Sequence, residues 1–234
     1  CVSGAPEHLI EALVRRADCG ELRHIDISHL YTEGYADYVL PQYREVFHLN
    51  SFFVGGNVRK ATQTGYADYI PCSLSDTARI IRDGFQPTDG VFLTVSEPDE
   101  EGFVSLGTSV DCTLAAVEQA RYVIAQVNRN MPYCFGDARI HVSKITAFVR
   151  HDVPLLEAEF PALTPQDIAI GKLAAELVPD GATVQVGIGS IPNAVLAQLG
   201  DHKDLGIHSE MFSDGVLPLI ESGVINGSQK KIDV

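Results

Sequence analysis

The chain is short of positive charge. Its 234 residues hold 17 Lys and Arg against 31 Asp and Glu, a formal net charge of −14. A nucleic-acid surface neutralises phosphates with clustered Lys and Arg, so this balance argues against nucleic acid as a partner, and an anionic ligand would need local donors instead. Long apolar runs are also missing. The segment at 121–127, Arg-Tyr-Val-Ile-Ala-Gln-Val, falls far short of a bilayer span. No basic-then-apolar leader opens the chain, so it reads as soluble and cytoplasmic, without a membrane partner. The five cysteines are odd in number and show no CxxC spacing. That pattern argues against a zinc site or a dithiol redox motif and leaves reduced thiols, and no metal site is expected.

What the sequence does contain suits a buried core: 45% apolar residues, 21% charged residues and a mean hydropathy of +0.06. The length allows one large or two modest α/β domains. Short apolar or β-branched runs at 48–54, 90–96, 121–127, 146–150, 183–186 and 205–208 read as strands and alternate with helical segments, which predicts a mainly parallel sheet flanked by helices. Pro6 and Pro192 sit at helix starts. Thr164-Pro165-Gln166-Asp167 supplies an N-cap hydroxyl, a proline at the first helical position and an early acid ahead of the apolar run 168–178. Residues 151–165 carry three prolines and no periodicity, so a boundary is placed near residue 160, between units 1–160 and 161–234. A proline-started helix followed by a short strand occurs in both units, at 4–25 and 190–208, which suggests a duplicated plan. The opening reads as a loop that should follow a strand, and the close, Lys230-Lys231-Ile232-Asp233-Val234, as an apolar segment beginning. The opening suggests that the first strand of unit 1 is missing, and the close that unit 2 is incomplete.

Gly187-Ile188-Gly189-Ser190-Ile191-Pro192 follows a strand and opens a helix over 193–199. Glycines let backbone approach a ligand, and free N–H groups there suit phosphate, carboxylate or an oxyanion. The turn lacks the Lys-Ser/Thr of a nucleotide P-loop and the third glycine of a dinucleotide fingerprint, so an ordinary tight turn fits equally well. Glu210 ends the next strand, within His208-Ser209-Glu210-Met211-Phe212-Ser213-Asp214. In a parallel sheet that places it beside the glycine turn, where ligands gather. A helix-capping acid or a surface ion pair remain alternatives.

The 186–195 and 206–215 segments together resemble the acetyl-CoA hydrolase/transferase family. So do Val54-Gly55-Gly56-Asn57-Val58-Arg59, the 96–107 segment SEPDEEGFVSLG, and Val127-Asn128-Arg129-Asn130-Met131-Pro132 followed by Gly136-Asp137. The resemblance spans the whole chain. It implies two tandem, mainly parallel-sheet α/β domains of the CoA-transferase type, with the second one incomplete. It further implies that Glu210 is a covalent nucleophile and that Gly187, Ile188, Gly189, Ser190 and Ile191 line a coenzyme A site.

Coenzyme A would then be a substrate rather than a tightly bound cofactor, exchanged between an acyl-CoA and a small carboxylate such as acetate or 4-hydroxybutyrate. A homo-oligomer is also implied. Family members are nearly twice as long, so a C-terminal part is expected to complete the pocket, and Gly55-Gly56-Asn57 stands where close relatives often have three glycines. An acyl-CoA hydrolase on the same scaffold and a non-catalytic binding or assembly module remain alternatives.

Other candidates carry less. Asp99-Glu100-Glu101-Gly102 lacks the alternating oxygen ligands of a calcium loop and reads as a turn. Ser209 lies in no Gly-x-Ser-x-Gly elbow. His208 either orients Glu210 or ends a strand, Arg59 suits an ion pair or an anion, and Asn128 stays outside the catalytic set.

Overall fold

A computed structural model describes residues 3–157 and 162–232. The chain forms two compact units, Cys1–Glu157 and Ala158–Val234. The first is α/β with two three-stranded parallel sheets. In one, β1 (Ile25–His29), β2 (Phe47–Ser51) and β3 (Ala67–Tyr69) lie in that order. In the other, β6 (Tyr122–Val127) is central between β4 (Gly90–Val95) and β8 (Ala147–Arg150). A short antiparallel ribbon joins β5 (Phe103–Ser105) to β7 (Arg139–His141). The helices are α1 (Glu7–Asp18), α2 (Arg59–Gln63), α3 (Leu74–Arg82) and α4 (Thr113–Gln119).

Side-chain alternation explains the second sheet. Leu93, Val95, Val123, Ala125 and Val127 point into one core with Val104 and Leu106, while Thr94 and Gln126 occupy the opposite face. Burying a side chain of that size contributes about 1.5–3 kcal/mol. In α1, Ile10, Leu13, Val14 and Ala17 recur at helical spacing and pack on Phe47 and Leu49. The helix stops where Gly20 turns left-handed at φ 73° and donates its N–H to Ala17 O. Its start lacks a cap from its own neighbours. Instead Gln126 Oε1, from β6, accepts the His8 N–H at 3.2 Å. The acidic 99–102 segment is an Asx turn, with Asp99 Oδ1 accepting the Glu101 and Phe103 N–H groups.

The second unit contains α5 (Pro165–Ala175), β9 (Thr183–Val184), α6 (Ser190–Leu196), β10 (Gly206–Ile207) and α7 (Leu217–Glu221). β9 and β10 are parallel, and an isolated parallel bridge joins Leu205 to Ile225. Leu196, Leu199, Leu205, Val216 and Leu219 form its core. A Cβ at Gly171 of α5 would lie 2.6 Å from Ala194 O, so only glycine allows α5 and α6 this approach.

Thr164 caps α5 as expected. The helix begins at Pro165, the first helical position that Thr164-Pro165-Gln166-Asp167 predicts, because the capping box itself fixes the first turn. α6 starts at Ser190 rather than Asn193, which brings its first turn directly onto the glycine segment. Of the linker, 151–157 has no regular structure, and 158–161 lie outside the described residues.

Candidate active site

β9 and β10 are in register, Val184 opposite Ile207. Parallel strands end on the same side, so the segments that leave them emerge together. His208 N donates to Val184 O at 3.1 Å, one further step of backbone pairing. There the Ser209 side chain takes over. Its Oγ donates to Val186 O (2.8 Å) and accepts from Val186 N (3.2 Å). One hydroxyl thus ties the root of the glycine turn to the residue before Glu210.

Gly189 sits at φ 118°, ψ −177°, a conformation that is essentially glycine's alone. It is the N-cap of α6, and its carbonyl accepts from Asn193 N at 3.2 Å. The N–H groups of Gly187, Ile188 and Gly189 donate to no acceptor among the described residues. Consecutive unpaired N–H groups are what an anion or a developing oxyanion requires.

The Ser190 hydroxyl is already engaged, donating to Asp167 Oδ1 at 3.1 Å. Asp167 closes the capping box as well, its Oδ2 accepting from Thr164 N and Oγ1 at 2.9 and 2.7 Å. The Thr164 hydroxyl and N–H, with Ser190, hold the Asp167 carboxyl below the usual range for an aspartate. Ile188 and Ile191 on the turn, and Phe212 after Glu210, are exposed.

Glu210 is exposed, and among the described residues its carboxylate has no ion-pair or hydrogen-bond partner. The N-cap of the next helical turn, Asp214–Val216, is Ser213 rather than Glu210. Two polar atoms near this segment are buried without partners, Asn193 Oδ1 and Ser213 Oγ. Neither stood out in the sequence, where Asn and Ser at helix starts read as caps.

Unit 1 carries the remaining candidates. Gly55, Gly56 and Asn57 follow β2, and Asn57 Nδ2 reaches Thr32 Oγ1 and Gly34 O, each at 3.4 Å. Arg59 opens α2 and enters no salt bridge among the described residues. Asn128 fastens the chain leaving β8: its Nδ2 donates to Val153 O at 2.9 Å, and its Oδ1 accepts from Asn130 N at 3.0 Å. Among the described residues no group of three or more His, Cys, Asp or Glu could hold a metal ion, and no helix is long and apolar enough to cross a membrane.

A family model for the acetyl-CoA hydrolase/transferase N-terminal domain matches residues 2–157. A 4-hydroxybutyrate coenzyme A transferase of Clostridium kluyveri is 44% identical over 98% of this chain and 53% of its own length. A succinyl-CoA:acetate/propanoyl-CoA:succinate CoA transferase of Fasciola hepatica is 42% identical over 98% of this chain and 48% of its own length. Among solved structures, RipA from Yersinia pestis superposes with a TM-score of 0.92 at 30% identity, covering 100% of this chain and 56% of that one. The chain spans about half the length of the curated relatives it matches.

Proposed function

Because the chain belongs to the acetyl-CoA hydrolase/transferase family, we propose that it supplies the nucleophile and part of the coenzyme A site of a ping-pong CoA-transferase, with Glu210 as the nucleophile. The observation that supports this reading is the pairing made by Ser209. It puts an unpartnered carboxylate on the strand end next to a glycine turn with three unused N–H groups.

A transferase that passes coenzyme A between acids must conserve thioester energy, and a carboxylate nucleophile does so. A Glu210 carboxylate oxygen attacks the acyl-CoA carbonyl carbon, the C–S bond breaks, and coenzyme A leaves as thiolate. The product is an acyl–glutamyl anhydride. The thiolate then attacks the glutamyl carbonyl and expels the first acid as carboxylate, which leaves a glutamyl–CoA thioester. An incoming carboxylate such as acetate or 4-hydroxybutyrate attacks that thioester, and the two steps reverse to give the new acyl-CoA and free Glu210.

Each addition places negative charge on a carbonyl oxygen. The Ile188 and Gly189 N–H groups are the donors assigned to it, and one such donor contributes about 3 kcal/mol in other enzymes. Gly187, Ser190 and Ile191 complete the turn against coenzyme A. The Ser190 hydroxyl acts by holding the turn to α5 rather than by facing the ligand.

The test uses a polypeptide of the relatives' full length. Glu210→Ala is expected to abolish transfer from acyl-CoA to acetate. Glu210→Asp, which withdraws the carboxylate by one methylene, should keep binding and lose most turnover. Retention of more than about 5% of the wild-type rate by Glu210→Ala would sink the assignment, since loss of a covalent nucleophile costs orders of magnitude. Trapping with hydroxylamine or borohydride should modify the peptide containing Glu210. Release of free acid at the same rate with and without acetate would identify a hydrolase instead.

A further inference from the structure

Unit 1 contains a cavity of about 260 Å³ where β4, β6 and β8 end. Drug-sized ligands take about 300–1,000 Å³, so this volume suits a smaller molecule. Its floor is formed by Thr94 and Gln126, partners in the β4–β6 register on the sheet face away from the apolar core. They are 1% and 2% exposed, and Thr94 Oγ1 has no hydrogen-bond partner. Gln126 Oε1 accepts from His8 N at 3.2 Å, which leaves it one lone pair. Native proteins seldom leave a buried polar atom unpaired, so a lone hydroxyl at the base of a cavity points to a ligand.

The charge of the walls selects that ligand. Glu7 and Glu11, one turn apart on α1, line the cavity, and no Lys or Arg does. Glu7 spends one carboxylate oxygen on the Tyr35 N–H at 2.8 Å. Glu11 meets the exposed Arg15 at 3.6 Å, a surface pair of little strength. Both carboxylates therefore keep acceptor capacity. The His8 and His151 rings stack with centroids 4.3 Å apart and planes at 15°, and a neutral imidazole offers one further acceptor nitrogen. Val153, Pro154 and Leu156 supply an apolar wall. It is fixed in place, because Val153 O accepts from both Asn128 Nδ2 and Asn130 Nδ2 at 2.9 Å.

An anion in this cavity would meet two carboxylates and no cation. A neutral chain would leave the negative charge unmatched. An alkylammonium brings three N–H donors to the carboxylates and the floor, and an alkyl tail to the apolar wall, and a charge is tolerated away from water when it is paired in this way. We propose that the cavity is a binding site for a short aliphatic primary amine, held as its ammonium ion by Glu7, Glu11 and Thr94. This ligand class lies outside the CoA-transfer reading above, and the site uses residues of unit 1 alone.

The probes are n-butylamine, n-butanol and butyrate at about pH 8, where an alkylamine is charged and an unperturbed imidazole is neutral. Binding to the intact chain is followed through the imidazole C–H resonances of His8 and His151, assigned with His8→Gln and His151→Gln. The amine should shift both signals saturably and bind at least about tenfold more tightly than n-butanol, the worth of a charge-assisted hydrogen bond. Butyrate should move neither signal.

Glu11→Gln should weaken amine binding about fivefold and leave n-butanol unchanged. Glu7→Gln, which keeps an oxygen for the Tyr35 N–H, should do the same. Thr94→Ser should retain the affinity that Thr94→Val loses. If Thr94→Val fails to fold, Glu11→Gln carries the test, since its side chain is half exposed. Equal affinity for amine and alcohol overturns the proposal, as does tighter binding of butyrate. So does unchanged amine affinity in both glutamate variants. A drift of the signals that never saturates also overturns it, because a chain of net charge −14 attracts any cation weakly.

Discussion

The Ser209 hydroxyl is spent twice on Val186, as donor and as acceptor, and so has no freedom to act as a nucleophile. Removing it leaves a backbone N–H and C=O without protein partners in a half-buried position, a loss of about 1 kcal/mol for each bond. Ser209→Ala should therefore lower the melting temperature by a few degrees and reduce transfer at least about tenfold by loosening Glu210 from the glycine turn. Ser209→Thr should retain part of both. Calorimetry and initial rates check this, and an alanine variant with wild-type melting and wild-type rate would remove the positioning role. The residues at the two strand ends were legible because glycine pairs and a lone acid are unusual there. The Ser209 partnership was not. It joins a side chain to backbone 23 positions away, and such a bond leaves no local pattern. Asn128 is a similar case: its role in fastening Val153 depends on where the chain returns after β8.

At the scale of elements, α5 and α6 are coupled through Asp167, which caps one helix and receives the first hydroxyl of the other. Its carboxyl is held below the ordinary range, so its contribution to stability is present above the unfolded-state value near 4 and is lost as pH falls through the folded value. The melting temperature of the second unit should accordingly drop below about pH 4. Asp167→Asn should flatten that acid limb and lower the neutral-pH melting temperature. An unchanged acid limb in the variant would assign the loss to other carboxylates. The α5 start was legible because Thr-Pro-Gln-Asp encodes its own cap. The α6 start was displaced by three residues, since Pro192 is tolerated inside the first turn and Gly189, not the proline, sets the boundary. The strands β4, β6 and β8 are apolar and β-branched enough to read directly. β3, β5 and β7 have three residues each, too few for any period to show, and depend on partners distant in sequence.

Over the chain as a whole, the net charge of −14 opposes the approach of an anion such as the coenzyme A of the proposed reaction. Screening should relieve this. The association rate constant for coenzyme A is expected to rise severalfold between about 10 and 150 mM salt, as the Debye length contracts from roughly 30 to 8 Å. Stopped-flow measurement of binding decides it, and a rate that falls with salt would show that local cations outweigh the net charge. The first helix is bound to the rest of unit 1 on a longer span. The His8 N–H finds its acceptor on Gln126, 118 residues later in the chain. At ordinary rates of synthesis that residue follows on the order of ten seconds behind. In the interval α1 has only its own turns and its apolar stripe to hold it, and a helix of twelve residues is marginal alone. Its first turn is thus completed late, by a side chain of β6, so α1 becomes fully native only after that strand has joined it.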